Sequence, residues 1–295
     1  MDKRLLALVL CLMTVIIYAV GIKVVLPDYL KKRSTKTVKR VVAAYVNGEE
    51  IPAGDDKAKE ILEAVKKIIS ENIKDGMTDY QKELAFHDYI VKTCTYSANP
   101  DQPYQSDIHH AYGCLVNHDA VCDGYAEALQ ILFDCVGIES YFMTGVASDL
   151  VTGTGENHAW NLVKIDGKWY HLDATWDDPE VEGANYAPVH WYFNLSDADI
   201  ERDHSWDRED YPAAVSSDAS FYKNSKSYFK SVGDMRHGMT AMMKGKNVYQ
   251  CECAVEGPTP SEEDLKFMFG AAGKRRYFII SQEYKDFTVV VLRFP

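Results

Sequence analysis

Residues 157–176 read NHAWNLVKIDGKWYHLDATW, and this stretch decides the fold of the chain. Apolar and polar side chains alternate in two short segments, with Asp166-Gly167 between them. A two-residue Asp-Gly loop between alternating segments is the strongest short-range signal for a β-hairpin. The loop also fixes the register, so that Ile165 pairs with Lys168 and His158 lies opposite Thr175.

This register predicts what each face of the hairpin carries, because directly opposed residues share a face. One face carries His158, Trp160, Trp169, His171, Asp173 and Thr175. The other carries an apolar set suited to burial: Ala159, Val163, Ile165, Tyr170, Leu172 and Ala174. Asp173 is then a diagonal neighbour of His158, with roughly 7–8 Å between their positions. A carboxylate there can hold one imidazole tautomer and stabilise the charged ring; a purely structural His–Asp pair is the alternative.

A cysteine at the predicted start of a helix is a candidate nucleophile for this His–Asp pair. Residues 121–126 read VCDGYA, and Tyr125, Leu129, Leu132 and Val136 follow at helical spacing until Gly137, which suits a left-handed helix cap. A thiol at a helix N-terminus lies in the positive field of the helix dipole, which favours the thiolate. Gly124 would let another backbone approach closely. A small buried cysteine without chemistry is the alternative for Cys122.

Composition and charge indicate a globular protein that does not bind nucleic acid. The chain has 295 residues, 46% hydrophobic and 26% charged, which is typical of a globular protein. The formal charge is −12, and without residues 1–40, which hold nine basic and two acidic residues, it is −19. An acidic body argues against nucleic acid as a partner. The seven cysteines show no spacing of a disulfide framework, although Cys94 and Cys114 could pair.

The N-terminal residues predict contact with a membrane. A short basic start precedes an uncharged stretch from Leu5 to Ile22, about long enough to cross a bilayer as a helix. We predict that residues 1–25 are a transmembrane anchor, with a cleaved signal segment as the alternative. Residues 26–54 are expected to form a basic juxtamembrane linker and a short β segment near Val41–Ile51. The body is expected to be extracytoplasmic, although the basic linker favours the cytoplasmic side.

Two further regions complete the predicted organisation. Residues 55–212 are predicted to be the catalytic domain, opening with two helices. Residues 213–295 are predicted to be a small α/β region with helices near Lys226–Met243 and Ser261–Phe269, a strand near Asn247–Ala254 and a final hairpin.

The motifs VCDGYA at 121–126, NHAWN at 157–161 and DGKWYHLDATWD at 166–177 together resemble the transglutaminase-like superfamily over about residues 55–210. The resemblance implies an α+β, papain-like core with a nucleophile helix packed on an antiparallel sheet. It implies that Cys122 is the nucleophile, His158 the general base and Asp173 the residue that orients it. Members of the family cross-link glutamine to lysine through a thioester, or hydrolyse peptides and amides. The candidates for the substrate cleft are Gly124, Tyr125, Trp160, Tyr112 and Trp176, of which Tyr112 and Trp160 are also candidates for the oxyanion hole.

Other groupings of chemically active residues are weaker. His110, Cys114, His118 and Cys122 recur every four residues like metal ligands, but Gly113 and residues 117–119 argue against a continuous helix. His204 is a second possible base without an evident orienting partner. We therefore expect no metal and no cofactor.

The sequence leaves two classes of function open. The first is a membrane-associated enzyme that transfers or hydrolyses acyl groups of protein or peptide substrates through a Cys-His-Asp triad. The second is a catalytically idle binding or scaffold module with the same fold. Within the first class, transfer to an amine and hydrolysis by water stay undecided.

Overall fold

The computed structural model describes residues 36–148, 153–178, 188–244, 248–273 and 278–294. Within them the chain is α+β, as predicted, with helices packed against antiparallel sheet. The helices are α1 Lys36–Asn47, α2 Asp56–Asn72, α3 Asp79–Thr93, α4 Cys122–Val136, α5 Asp197–Ile200, α6 Phe221–Asn224, α7 Val232–Met243 and α8 Glu262–Ala272.

The strands form three sheets. They are β1 Thr95–Tyr96, β2 Asp119–Ala120, β3 Ser140–Ser148, β4 Gly155–Ile165, β5 Lys168–Leu172, β6 Phe193–Leu195, β7 His204–Ser205, β8 Tyr228–Phe229, β9 Gln250–Glu256, β10 Phe278–Glu283 and β11 Phe287–Arg293. The central sheet is antiparallel and has the order β6-β5-β4-β3-β7. A four-stranded sheet has the order β10-β11-β9-β8, and β1 pairs with β2.

The predicted hairpin register is confirmed over the five residue pairs of β4 and β5, whereas the predicted pair of His158 and Thr175 lies outside this ladder. Ile165 pairs with Lys168, and the ladder continues to Asn161 and Leu172. Both loop residues have positive φ, 49° at Asp166 and 78° at Gly167, as a type I′ turn requires. The ladder ends at Leu172, so Asp173 lies just beyond the paired strand.

The two faces of the hairpin differ as expected. The apolar face is buried against the helices, with Val163, Ile165, Tyr170, Leu172 and Ala174 in the main hydrophobic core. Burial of this set at roughly 25 cal/mol per Å² of apolar surface fixes the register, because a one-residue slip would exchange it with the polar side chains of the opposite face.

Helix α4 begins at Cys122 and ends where predicted. Gly137 has φ 77° and closes the helix with backbone bonds to Phe133 and Asp134. The Asn161 amide donates to the carbonyl of Ala126 at 3.0 Å, which ties the first turns of α4 to β4. The cysteine is thereby held over the strand that carries His158.

The predicted β segment near Val41–Ile51 is wrong, because residues 36–47 form helix α1. The run of β-branched residues suggested a strand, but Val38, Val41 and Ala44 recur at helical spacing and bury one face. Gly48, with φ 71°, follows the helix and marks its end.

The N-terminal anchor, residues 1–25, lies outside the described residues. None of the helices in the described ranges is long and apolar enough to span a bilayer.

The C-terminal region has the predicted kinds of element. Its four-stranded sheet and helices α7 and α8 enclose a separate core built around Met235, Met239, Val290 and Leu292. This region contacts the rest of the chain through hydrogen bonds, including Tyr284 Oη to the carbonyl of Trp191 at 2.5 Å.

Candidate active site

Cys122 lies in an open cleft between the start of α4 and the strands β3 and β4. The cleft has a volume of about 500 Å³, and Cys122, His158, Thr144, Gly145 and Asn157 are among its lining residues. The other described cysteines are buried and all six are free thiols, so Cys94 and Cys114 are not bridged. Cys122 is the one cysteine in the described residues that is only half-buried.

His158 lies between the thiol and a carboxylate. Its Nε2 is 2.7 Å from Asp173 Oδ2, and both side chains are almost fully buried. The Cys122 side chain hydrogen-bonds the same ring. Since Nε2 faces Asp173, Nδ1 is the nitrogen left for the sulfur. The ring of Trp160 stacks on the imidazole at 6.0 Å, and Trp176 packs against it at 5.8 Å.

Both carboxylate oxygens of Asp173 are held by hydrogen bonds. Oδ1 accepts from the backbone N–H groups of Thr175 at 3.0 Å and Trp176 at 3.2 Å. Oδ2 lies 2.7 Å from His158 Nε2 and 3.1 Å from His204 Nε2. Burial opposes ionisation of Asp173, but the charge and hydrogen bonds of the two histidines outweigh burial and lower its pKa. The carboxylate is therefore charged at neutral pH.

The charge of Asp173 in turn sets the state of His158. Burial alone would lower the pKa of His158, but the charge and hydrogen bond of Asp173, helped by Cys122, raise it to about 10. At neutral pH the ring is therefore an imidazolium. The charged ring lies beside Cys122, whose side chain it contacts.

His204 joins this group, contrary to the expectation that it lacks an orienting partner. Its Nε2 faces Asp173, and its Nδ1 is 2.6 Å from Asp203 Oδ1. These contacts with carboxylates raise the pKa of His204 against the effect of burial. The hydroxyl of Tyr192 and Nε of Arg202 donate to the other Asp203 oxygen at 2.7 and 2.8 Å.

Strand pairing explains how His204 reaches the site. Strand β7, at the edge of the sheet, pairs with β3, and His204 lies opposite Ala147. This pairing is nonlocal and very short, so no periodic pattern in the sequence could have revealed it. The adjacent Asp203-His204 dipeptide was the available signal.

The predicted cleft residues differ in their positions. Gly124 allows the close approach that was expected, because a Cβ there would lie 2.6 Å from the carbonyl oxygen of Ile108. Tyr125 is buried under the site, with its hydroxyl donating to Asp178 at 2.7 Å. Trp160 and Trp176 pack on His158, and the buried Trp160 indole donates to His171 Nδ1 at 3.0 Å.

Tyr112 lies elsewhere. Its hydroxyl donates to Glu60 on α2 at 2.7 Å, and it lines a different cavity. We therefore do not assign the oxyanion hole to Tyr112, and the buried indole N–H of Trp160 is engaged by His171.

Gly145 is a cleft residue that the sequence reading missed. A Cβ there would lie 2.2 Å from the carbonyl oxygen of Ser205 and 2.8 Å from the Trp160 ring. Glycine inside a strand often marks such close approach, so Gly145 within β3 was the available signal.

The stripe His110, Cys114, His118 and Cys122 does not form one helical face. Residues Gly113–Asn117 form a π-helical turn, and His118 then adopts a left-handed conformation with φ 59°. Among the described residues, potential metal-ligand groups occur elsewhere, at His87–Asp88–His190 and His158–Asp173–His204.

Comparison with known proteins finds a family match and distant relatives. Residues 66–174 match the sequence model of the transglutaminase-like superfamily. The chain is 22% identical over 237 residues to mouse (Mus musculus) kyphoscoliosis peptidase and 22% over 230 residues to its human (Homo sapiens) counterpart. The matches cover 75% and 72% of this chain but 35% and 34% of those proteins, so the chain spans about a third of their length.

Two solved structures are also similar. One is a proposed cysteine protease from Cytophaga hutchinsonii, with 23% identity, a TM-score of 0.33 and coverage of 39% of this chain and 37% of that chain. The other is a TGase, with 15% identity, a TM-score of 0.33 and coverage of 54% and 41%. The family match therefore covers residues 66–174, whose sequence is that of a transglutaminase-like domain.

Proposed function

We propose that the chain is a thiol-dependent acyl-transfer enzyme that acts on carboxamide or peptide bonds of protein substrates. Cys122 is the nucleophile, His158 the acid and base, and Asp173 the group that orients and charges His158. One observation carries the proposal: the His158 ring bonds Asp173 through Nε2 and contacts the Cys122 thiol. Nucleophile, base and orienting carboxylate in one hydrogen-bonded series is the arrangement of covalent acyl transfer.

The reaction follows from the charges. The Cys122 thiolate attacks the carbonyl carbon, and the carbonyl oxygen becomes an oxyanion beside the first backbone N–H groups of α4. His158 gives its proton to the leaving nitrogen, the C–N bond breaks, and a thioester forms on Cys122 with release of an amine or ammonia. An amine or water then attacks the thioester while His158 takes its proton. The C–S bond breaks and the thiolate returns.

The shape of the cleft supports a protein substrate. A volume of about 500 Å³ is enough for one side chain with its flanking backbone, and the cleft is open to solvent. The charge of −19 for residues 41–295 would attract lysine-bearing segments, which suits an amine acceptor. Transfer to lysine and hydrolysis share the same acylation step and differ only in whether an amine or water attacks the thioester.

The test is incubation with a glutamine-rich protein and a labelled primary amine. Label in the protein means transfer, and cleavage or release of ammonia without label means hydrolysis. Both must vanish in Cys122→Ala and persist in Cys135→Ala, whose cysteine lies away from the cleft. No product, together with alkylation of Cys122 no faster than that of a free thiol, would instead establish an idle binding module and overturn the proposal.

We also propose that residues 1–25 attach the protein to a membrane and that the body is extracytoplasmic. The support is the uncharged stretch from Leu5 to Ile22 after a basic start. Fractionation after carbonate washing tests attachment, and protease protection of intact cells tests the side. A chain that is recovered in the supernatant with its N-terminus intact contradicts attachment.

A further inference from the structure

A second cluster of buried histidines and carboxylates lies apart from the Cys122 cleft. His87 and Asp88 are on α3, and His190 is in the segment before β6. Asp88 Oδ1 is 3.0 Å from His87 Nδ1 and 3.0 Å from His190 Nε2. The proposed acyl transfer uses none of these residues.

Each histidine also contacts a second carboxylate through its other ring nitrogen. His87 Nε2 is 3.1 Å from Asp177 Oδ2, and His190 Nδ1 is 2.7 Å from Glu252 Oε1. Both carboxylates have a further donor: the backbone N–H of Tyr192 for Asp177 at 2.9 Å, and the Tyr222 hydroxyl for Glu252 at 3.0 Å. Carboxylates behind the ligating histidines are the usual second shell of a metal site, since they fix the tautomer and the ring direction.

The ring planes are also fixed by packing. His190 stacks on Phe221 at 3.6 Å with an angle of 6°, and Phe193 packs edge-on against His87 at 5.2 Å. The two imidazoles therefore present His87 Nδ1 and His190 Nε2 toward one carboxylate oxygen. Preoriented donors lower the entropy cost of binding an ion.

The spacing of the three donor atoms suits a transition metal. They all lie within 4.8 Å of one another, and the two N···O distances are 3.0 Å. Ligands about 2.0 to 2.1 Å from a tetrahedral zinc ion lie about 3.3 Å apart, which is close to these two N···O distances. Asp88, whose side chain is 45% exposed, gives the ion a path from solvent and a place for a water ligand.

The balance of charge favours a cation. Three carboxylates, Asp88, Asp177 and Glu252, converge on two adjacent imidazoles, with the ring centroids of His87 and His190 5.2 Å apart. A divalent cation between the two rings would balance the negative charge of these carboxylates.

We propose that His87 Nδ1, His190 Nε2 and Asp88 Oδ1 bind a divalent transition-metal ion, with Zn²⁺ as the ion that best fits two imidazoles and one carboxylate. The ion would join α3 to the segment before β6 and, through Glu252, to β9 of the C-terminal region. Its role is structural, and it revises the expectation from the sequence that the chain holds no metal.

The full chain, stripped with a chelator, is titrated with Zn²⁺ by calorimetry and with Co²⁺ by visible absorption. The expected result is one equivalent of Zn²⁺ and a tetrahedral Co²⁺ spectrum. We expect Tm to rise by about 5–10 °C at a hundredfold excess of Zn²⁺ over Kd. None of these readouts depends on acyl transfer.

Variants localise the ion. Asp88→Asn and His190→Gln should each weaken Zn²⁺ binding at least tenfold. Glu252→Gln should weaken it about 10- to 100-fold, because Glu252 orients the His190 ring. The exposed His237→Gln is the matched control, and His204→Gln tests the other histidine group; both should bind as the wild type does. Absence of stoichiometric binding by the wild type overturns the proposal, and so does binding that survives Asp88→Asn and His190→Gln or is lost in His204→Gln.

Discussion

Replacing Asp173 by asparagine removes the charge that sets the state of His158 and keeps the size of the side chain. The asparagine oxygen can still accept the N–H groups of Thr175 and Trp176, so the loop after β5 should keep its shape. What changes is the countercharge that Nε2 of His158 faces at 2.7 Å. Without it, burial favours the neutral ring, and Cys122 loses its charged neighbour.

The pKa of His158 gives the size of the effect. An ordinary histidine has a pKa of about 6.5, and each unit corresponds to about 1.36 kcal/mol. A pKa of about 10 therefore represents about 5 kcal/mol in favour of the imidazolium. This energy corresponds to about three powers of ten in rate, and we expect alkylation of Cys122 at pH 6 to slow by ten- to a thousandfold.

The assay is alkylation of Cys122 by iodoacetamide, followed by peptide mass spectrometry from pH 5 to 9. The wild type should react fast at pH 6 with little dependence on pH, because the imidazolium persists to about pH 10. Asp173→Asn should react slowly and speed up with pH like a free thiol. The matched control is Asp166→Asn, in the exposed hairpin turn, where asparagine tolerates the φ of 49°. Equal rates and equal pH profiles in wild type and Asp173→Asn would show that Asp173 does not control the reactivity of Cys122.

Three further outcomes follow from the contacts. His204→Gln should slow alkylation of Cys122 about three- to tenfold, less than Asp173→Asn does, because it removes the weaker of two bonds to Asp173 Oδ2; an unchanged rate would separate His204 from the site. Gly124→Ala should lower the free energy of unfolding in urea by about 2 kcal/mol or more, because its Cβ would meet backbone at 2.6 Å, whereas Gly270→Ala, with open space around it on α8, should raise it by about 0.5–1 kcal/mol. Glu83 is fully buried, and burial raises its pKa to about 8. The fold therefore favours the protonated carboxyl group, and its contribution to the free energy of unfolding is complete below the unfolded pKa of about 4.3. This contribution declines as the pH rises toward 8. Glu83→Gln should therefore match the wild type near pH 4 and be more stable by roughly 2 to 3 kcal/mol at pH 7; a difference that does not grow with pH would contradict this.

The local part of the site was predictable because its geometry is encoded over a few residues. The Asp166-Gly167 turn and the alternation on both sides fix the β4–β5 register. Asp173 follows the last paired residue, Leu172, and contacts His158 as the sequence predicts. The start of α4 at Cys122 was equally local, since a helical stripe and the Gly137 cap bound it.

The nonlocal part was not predictable by these means. His204 reaches Asp173 through a two-residue strand on the edge of the sheet, and two paired residues leave no periodicity to detect. His190 meets Asp88 across 102 positions of the sequence. Helix α1 shows a different limit, since its β-branched residues indicated a strand and only packing of Val38 and Val41 reveals the helical period.

The proposed acyl transfer requires a covalent acyl group on Cys122, and intact-protein mass spectrometry can observe this group directly. The protein is mixed with an activated ester of a glutamine-like acid and quenched in acid within seconds. We expect one acyl group per chain, located on the peptide that contains Cys122 and removed by hydroxylamine, with little or none in Cys122→Ala or His158→Gln. An acyl group on another residue, or acylation of Cys122 that is equally fast in His158→Gln, would contradict the account.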